Sequence, residues 1–222
     1  MKKILLFDLD QTILNRDESL YRFLNWQINF LQLIPQNSKQ KFIQRFIELD
    51  DHGRVWKDQV YHQLSIEFNF TKYTVNELLT IYINDFNEFS VAFEHAEITI
   101  KQLYQNGYKL GLISNGRSPF QEHNFYALGL SEYFSGIFVS EALQMRKPQP
   151  EIFLYVCTQF DCNPSDCIFI GDNPIADIAG AKNVGMCTIF FNSNNQQNCF
   201  IADEQFQYFY DLETAIRRIE NN

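Results

Sequence analysis

From residue 96 to residue 190 the chain alternates between two periodicities, and that alternation leaves few architectures open. Helical spacing runs to residue 105 and an apolar run of strand length covers 108–113. The pattern then repeats as helix 118–128, strand 136–139, helix 150–160, strand 167–170, helix 175–183 and strand 186–190. Strands separated by helices cannot form hairpins; they pair in parallel, and the connecting helices cover the sheet. A further apolar run at 4–9 belongs to the same sheet. The expected fold class is therefore α/β, a Rossmann-like parallel sheet with helices on both faces.

Residues 15–95 differ in kind. Glycine occurs there once, at Gly53, and apolar residues recur at helical spacing: Leu20, Phe23, Leu24, Ile28 and Leu31, then Leu64 and Phe68, then Leu78, Leu79 and Tyr82. Breaks at Pro35–Ser38, Asp50–Gly53 and Phe70–Lys72 divide the stretch into about four helices of ordinary length. The domain expectation is an inserted α-helical lobe, 15–95, within an α/β core made of 1–14 and 96–222. The lobe is rich in aromatics, among them Trp26, Phe30, Phe46, Trp56, Tyr61 and Tyr82. Such residues supply buried area to a small helical unit; stacking on a substrate ring is the alternative, and both stay open.

The strand ends carry the chemistry. The first run stops at Asp8-Leu9-Asp10-Gln11-Thr12. Asp is a poor strand former and costly to desolvate, so a pair of them closes a turn, or binds a divalent cation while one attacks and the other moves protons. The run at 108–113 stops at Ser114-Asn115-Gly116, a capped strand-to-helix turn or an anion site built of hydroxyl, amide and helix N–H groups. Lys147 stands between Arg146 and Pro148 at the Pro-bracketed start of a helix, as a solvated lysine or as part of a site. The run at 167–170 stops at Gly171-Asp172-Asn173-Pro174, with Asp177 a little further on. Gly171 permits close backbone approach, and Asn173-Pro174 start a helix. In open α/β sheets ligand sites form at the C-terminal strand ends. Three such endings and a lysine make a site.

These four segments resemble, in order, the motifs of the haloacid dehalogenase-like superfamily, across almost all of the chain except the insert. The resemblance implies that Asp8 is the nucleophile and Asp10 the acid/base. Ser114, Asn115 and Lys147 are then the phosphate-binding residues. Mg²⁺ would be held by Asp8, Asp172 and the backbone carbonyl of Asp10, with Asp177 in a supporting role toward Lys147 or a metal-bound water. The insert looks like the helical cap of the branch that includes phosphoglycolate phosphatases, β-phosphoglucomutases and pyrimidine nucleotidases. A cap of that kind would close over the site and read the leaving group. Its expected reader is the loop with Asp51, His52 and Arg54, around the single cap glycine; a plain interhelical loop is the alternative.

The expected function is Mg-dependent hydrolysis of a small phosphate monoester through an aspartyl-phosphate, with a nucleoside 5′-monophosphate first. The alternatives are a phosphoglycolate or sugar-phosphate phosphatase, a phosphomutase, and a non-catalytic binding module. A dehalogenase of the same family has no acid at the position of Asp10, which counts against that chemistry.

Composition narrows the partners. A net charge of −9 disfavours nucleic-acid polymers and anionic membranes but not a small phosphorylated metabolite, whose field is set locally in a cleft. Met1-Lys2-Lys3 before Ile4–Phe7 mimics a leader, yet the apolar run is too short for export or a membrane span. Cysteines 157, 162, 167, 187 and 199 show no Cys-x-x-Cys pair, so reduced thiols filling the core of a cytoplasmic monomer or homodimer are expected. His62 and His95 are expected to pack beside apolar neighbours, and 192–198 to form a surface loop.

Overall fold

The computed structural model describes residues 4–193, 195 and 198–221. The leader-like Met1–Lys3 and part of the expected surface loop, residues 194, 196 and 197, lie outside the described residues. The chain divides into two compact units, Met1–Arg16 with Ser90–Asn222, and Asp17–Phe89.

The first unit is built on a six-stranded, wholly parallel sheet. Its strands are β1 (Ile4–Phe7), β2 (Lys109–Ser114), β3 (Phe134–Val139), β4 (Cys167–Gly171), β5 (Cys187–Phe191) and β6 (Glu204–Phe206), in the order β3-β2-β1-β4-β5-β6. Strand β1 is central, with Leu5 in register with Leu110 on one side and Ile168 on the other. All four of its residues are buried, as a strand covered on both faces requires. Successive side chains point to opposite faces. Leu5 and Phe7 join one core with Leu110, Leu112, Ile168 and Ile170. The covering residues there come from α5 (Ala96–Gln105), α6 (Phe120–Ala127) and α10 (Leu212–Glu220). Ile4 and Leu6 join the other with Ile113 and Phe169, under α8 (Pro150–Phe160) and α9 (Gly180–Asn183). Each fully buried Leu, Ile or Phe contributes about 1.5–3 kcal/mol of transfer free energy, against the entropy of ordering the chain. The α/β fold class is borne out. Strand β6 and helix α10 extend it beyond the expected elements.

Chain order reverses direction across the sheet between β1 and β4: β2 and β3 lie to one side of β1, and β4, β5 and β6 to the other. The residues leaving the C-terminal ends of β1 and β4 therefore flank the switch point, where open α/β sheets leave a crevice.

The second unit is helical: α1 (Arg16–Leu31), α2 (Lys39–Asp50), α3 (Lys57–Phe68) and α4 (Val75–Asp85). Phe23 is fully buried, meeting Tyr82 edge-on at 5.3 Å and Phe86 and Phe89 at 5.7 and 5.8 Å. Phe46 meets Tyr61 at 5.4 Å, and the Tyr61 hydroxyl donates to Gln27 Oε1 at 2.9 Å. Most of these aromatics are core. Phe30, stacked on Trp26 at 5.3 Å, is the exposed exception. Helix α4 starts with a reciprocal cap in which Thr74 and Glu77 satisfy each other's backbone N–H groups. Helix α2 ends in three consecutive left-handed residues, Asp51, His52 and Gly53 (φ 45°, 54° and 84°). The Asp50 carboxylate, itself paired with buried Lys57, accepts from the Gly53 N–H at 2.8 Å and holds that turn. His62 and His95 are both exposed, against expectation: each neighbours apolar residues in sequence, but its helical or turn position aims it outward. His95 rests edge-on against Tyr210.

Candidate active site

Beyond Phe7 the backbone leaves the sheet in one tight loop. The Asp8 N–H still donates to Ile170 O at 2.9 Å, keeping Asp8 at the strand tip between β1 and β4. The N–H groups of Thr12, Ile13 and Leu14 then all donate to the Leu9 carbonyl at 2.9–3.2 Å. Leu9, Ile13 and Leu14 are fully buried and anchor the loop. Asp10 and the left-handed Gln11 (φ 59°) form its tip.

Asp8 is buried, and Lys147 Nζ donates to its Oδ1 at 2.6 Å. The same ammonium lies 2.7 Å from Asp177 Oδ1 and 5.2 Å from the centre of the Phe169 ring. Lys147 is not a solvated lysine: it is 2% exposed, a burial that a charge tolerates only with partners. Its backbone is clamped as well. Asn115 Nδ2 donates to the Lys147 carbonyl at 2.8 Å, and the Lys147 N–H donates to Asn115 Oδ1 at 2.9 Å. The Asn115 side chain is thereby committed to placing Lys147, so any role of Asn115 toward an anion falls to its backbone.

Asp177 reaches Lys147 through a local device at the end of β4. Asn173 accepts from the N–H groups of Ile175 and Ala176, and a wide π-type turn (Pro174–Ala179) follows before α9. The turn brings Asp177 back to accept from the Asn173 N–H at 3.0 Å. A β-carbon at Gly171 would run into the Asp177 carboxylate, which is why glycine ends this strand.

Carboxylate oxygens of Asp8, Asp172 and Asp177 all lie within 4.8 Å of one another. One ammonium faces three carboxylates here, and the electrostatics show the deficit. Burial, reinforced by Asp177 and Asp10 and opposed by Lys147, pushes the Asp8 carboxyl up to about 7. Burial first, then Asp8 and Asp177, holds Asp172 well above the ordinary carboxylate range. Burial alone would lower Lys147, but Asp177 and Asp8 hold it above its ordinary value. Hard oxygen donors short of positive charge fit a divalent cation such as Mg²⁺.

A residue that the sequence did not single out ties the remaining groups together. Gln121, in the first turn of α6 and only 3% exposed, donates through Nε2 to Asp10 Oδ2 at 2.6 Å and to Ser114 Oγ at 3.0 Å. Gly116 makes room for it, since a β-carbon there would collide with the Gln121 side chain. No local pattern marks Gln121, because its partners are supplied by other elements. The structure thus brings Asp8, Lys147, Asp172 and Asp177 into one cluster and joins Asp10 to Ser114 through Gln121. The Asp10 carboxylate belongs to that second group rather than to the acidic trio. Asp51, His52 and Arg54 lie in the helical unit, exposed, with Arg54 paired to Asp51 at 3.4 Å.

Residues 5–191 match the family model described as haloacid dehalogenase-like hydrolase. Among curated proteins, the chain is 35% identical over 96 residues to a glyceraldehyde 3-phosphate phosphatase of Pyrococcus furiosus, covering 43% of this chain and 40% of that protein. It is 25% identical over 202 residues to a phosphoglycolate phosphatase of Psychrobacter arcticus, covering 85% and 82%. The chain matches less than half the length of the glyceraldehyde 3-phosphate phosphatases. Among solved structures, the magnesium-bound hydrolase YfnB of Bacillus subtilis superimposes with a TM-score of 0.77 at 24% identity, covering 97% of this chain and 99% of that one.

Proposed function

The chain belongs to the haloacid dehalogenase-like hydrolase family, and on that premise we propose that it hydrolyses a small phosphate monoester through an aspartyl-phosphate on Asp8. The observation that carries this reading is the pairing of buried Asp8 with Lys147 beside a second, separately held acid, Asp10. A haloacid dehalogenase needs the first and has no use for the second, because its leaving group takes no proton.

In the first step an Asp8 carboxylate oxygen attacks phosphorus and the bond to the leaving oxygen breaks. Asp10 donates its proton to that alkoxide. In the second step water attacks the same phosphorus, Asp10 takes a proton from it, and the Asp8 carboxylate leaves. Lys147, Ser114 and the backbone N–H groups after Asn115 hold the phosphoryl oxygens through both steps, as fixed donors that need no reorganisation. Asp177 keeps the Lys147 ammonium in place, and Gln121 keeps Asp10 aimed. Mg²⁺, held by Asp8, Asp172 and the Asp10 carbonyl, supplies the positive charge that lets an anionic nucleophile approach an anionic phosphate.

We read the helical unit, Asp17–Phe89, as the family's cap and its Asp51–Arg54 loop as the part that selects the substrate. The names of the relatives favour short phosphorylated carbon compounds, so we place phosphoglycolate-like and triose-phosphate-like substrates ahead of a nucleoside 5′-monophosphate. Purified protein screened with Mg²⁺ against phosphorylated metabolites orders these classes, and a transferred-phosphate assay separates hydrolysis from a mutase. Asp8→Asn is expected to abolish turnover with the fold intact, because an amide cannot form the acyl phosphate. EDTA is expected to remove activity that Mg²⁺ or Mn²⁺ restores. Turnover above trace by Asp8→Asn would overturn the nucleophile, and full activity in chelator the metal site.

A further inference from the structure

Cys157, Cys162 and Cys167 are spaced five residues apart, too widely for any familiar sequence signature of a metal site. The fold closes that spacing. Cys157 lies in the last turns of α8, which ends at Asp161 in the left-handed conformation (φ 52°). That reversal brings Cys162 back, its N–H donating to the Cys157 carbonyl at 3.1 Å. Asn163 and Asp166 then cap each other across a single turn through Pro164, and the chain enters β4 at Cys167. The three sulfurs consequently lie within 4.8 Å of one another, Cys162 Sγ and Cys167 Sγ at 3.5 Å.

We propose that this trio is a second metal site, in which Cys157, Cys162 and Cys167 bind a thiophilic cation of the Zn²⁺ type as thiolates. A Zn–S bond of about 2.3 Å places tetrahedral ligand sulfurs about 3.8 Å apart, which is the separation already built here. Cys157 and Cys167 are buried, and half-buried Cys162 opens the cluster toward solvent, the direction from which a cation and a fourth, water ligand enter. The sulfurs also polarise one another. Hydrogen bonds from Cys167 and then Cys162 outweigh burial and hold the Cys157 thiol below its ordinary value. The site is separate from the carboxylate cluster. Cys167 begins β4 and Asp172 follows its end, roughly 16 Å away at the rise of an extended strand. Soft thiolates select soft cations as the hard carboxylates select Mg²⁺, so the two sites do not compete for one ion.

The test is a titration of the reduced full-length protein with Co²⁺, followed by displacement with Zn²⁺. One equivalent of Co²⁺ should produce thiolate-to-metal charge-transfer absorption, and Zn²⁺ should abolish it. Asp172→Asn should keep that absorption, since carboxylates produce none. Cys162→Ser should weaken Zn²⁺ binding by more than the roughly 100-fold that changes outside the ligand shell cost, while Cys199→Ser should leave it unchanged. In the wild-type protein, one equivalent of Zn²⁺ should protect Cys162 from iodoacetamide, a readout that needs no variant to fold. Absence of the charge-transfer band, equal Zn²⁺ affinity in Cys162→Ser, or alkylation of Cys162 unaffected by Zn²⁺ would each overturn the proposal. So would reduced protein that binds no metal and merely forms a Cys162–Cys167 disulfide on oxidation.

Discussion

Gln121 holds the candidate acid/base and a candidate phosphate ligand with one amide group, and both contacts are buried. A neutral donor suits this place. It fixes the Asp10 carboxyl without the competing charge that a lysine would bring, and it lets Ser114, which accepts from Gln121, direct its own proton elsewhere. Replacing it by leucine keeps the volume and removes the donor. Gln121→Leu is expected to lower kcat/KM by roughly 10- to 150-fold, the equivalent of about 1.5–3 kcal/mol for a hydrogen bond to a charged group. Most of the loss should fall on kcat, since Asp10 acts on protons rather than on substrate binding. Steady-state kinetics beside a far-UV spectrum check this, and wild-type kinetics in the variant would deny Gln121 a role in aiming Asp10. Lys147 shows the opposite economy, a full charge kept at 2% exposure by two carboxylates and an asparagine clamp. Removing it would leave those carboxylates buried without their cation, a change that costs about 3–5 kcal/mol in comparable buried pairs.

At the scale of elements, the turn before β6 is bound to β5 by Asp203. Its carboxylate accepts from the Thr188 N–H at 2.8 Å and hydroxyl at 3.1 Å, and from Lys182 Nζ at 2.6 Å. Burial pulls the Asp203 carboxyl up, but the hydrogen bonds from Lys182 and Thr188 together outweigh it and leave the group below its ordinary value of 3.8. A carboxyl lowered in the folded state stabilises the fold fully above its unfolded value. That contribution is lost as pH falls through the lowered native value. Wild type should therefore exceed Asp203→Asn in urea midpoint at pH 7, and the gap should narrow on acidification below 3.8. A gap that held constant with pH would mean that the carboxylate's charge is not what ties these elements. Strand β6 shows why its reading failed in sequence. Glu204-Gln205-Phe206 is three residues with no alternation long enough to register, and only backbone pairing with Ile189–Phe191 makes it a strand. Helix α10 did carry a signal, Leu212, Ala215, Ile216 and Ile219 at helical spacing, all buried on one core.

Across the whole molecule, chemistry and substrate choice are proposed to reside in different units, and kinetics can separate them. Alanine at Asp51, His52 or Arg54 is expected to reorder natural substrates by about 1–3 kcal/mol in kcat/KM, the scale of a lost buried polar contact. A generic aryl phosphate, whose good leaving group needs little recognition, should barely respond. A uniform loss over both substrate types would mean damaged folding, and no change in either would remove these residues from the reading. What the sequence determined by itself is whatever is written locally. The two periodicities announce a parallel sheet with helices, and the acids at Asp8, Asp10 and Asp172 stand at strand ends because a residue's place along a strand is a property of that strand. Those same local motifs carried the family. The tertiary structure decided what depends on distant segments meeting. Lys147 pairs with Asp8 across 139 residues and Gln121 with Asp10 across 111, separations over which no local pattern constrains a contact. The Asn115 side chain turned from phosphate to the Lys147 backbone, and three cysteines without a motif met at one point, for the same reason. Hydrophobic burial sets which face of each element turns inward, and the loops then carry polar groups to wherever packing leaves the strand ends.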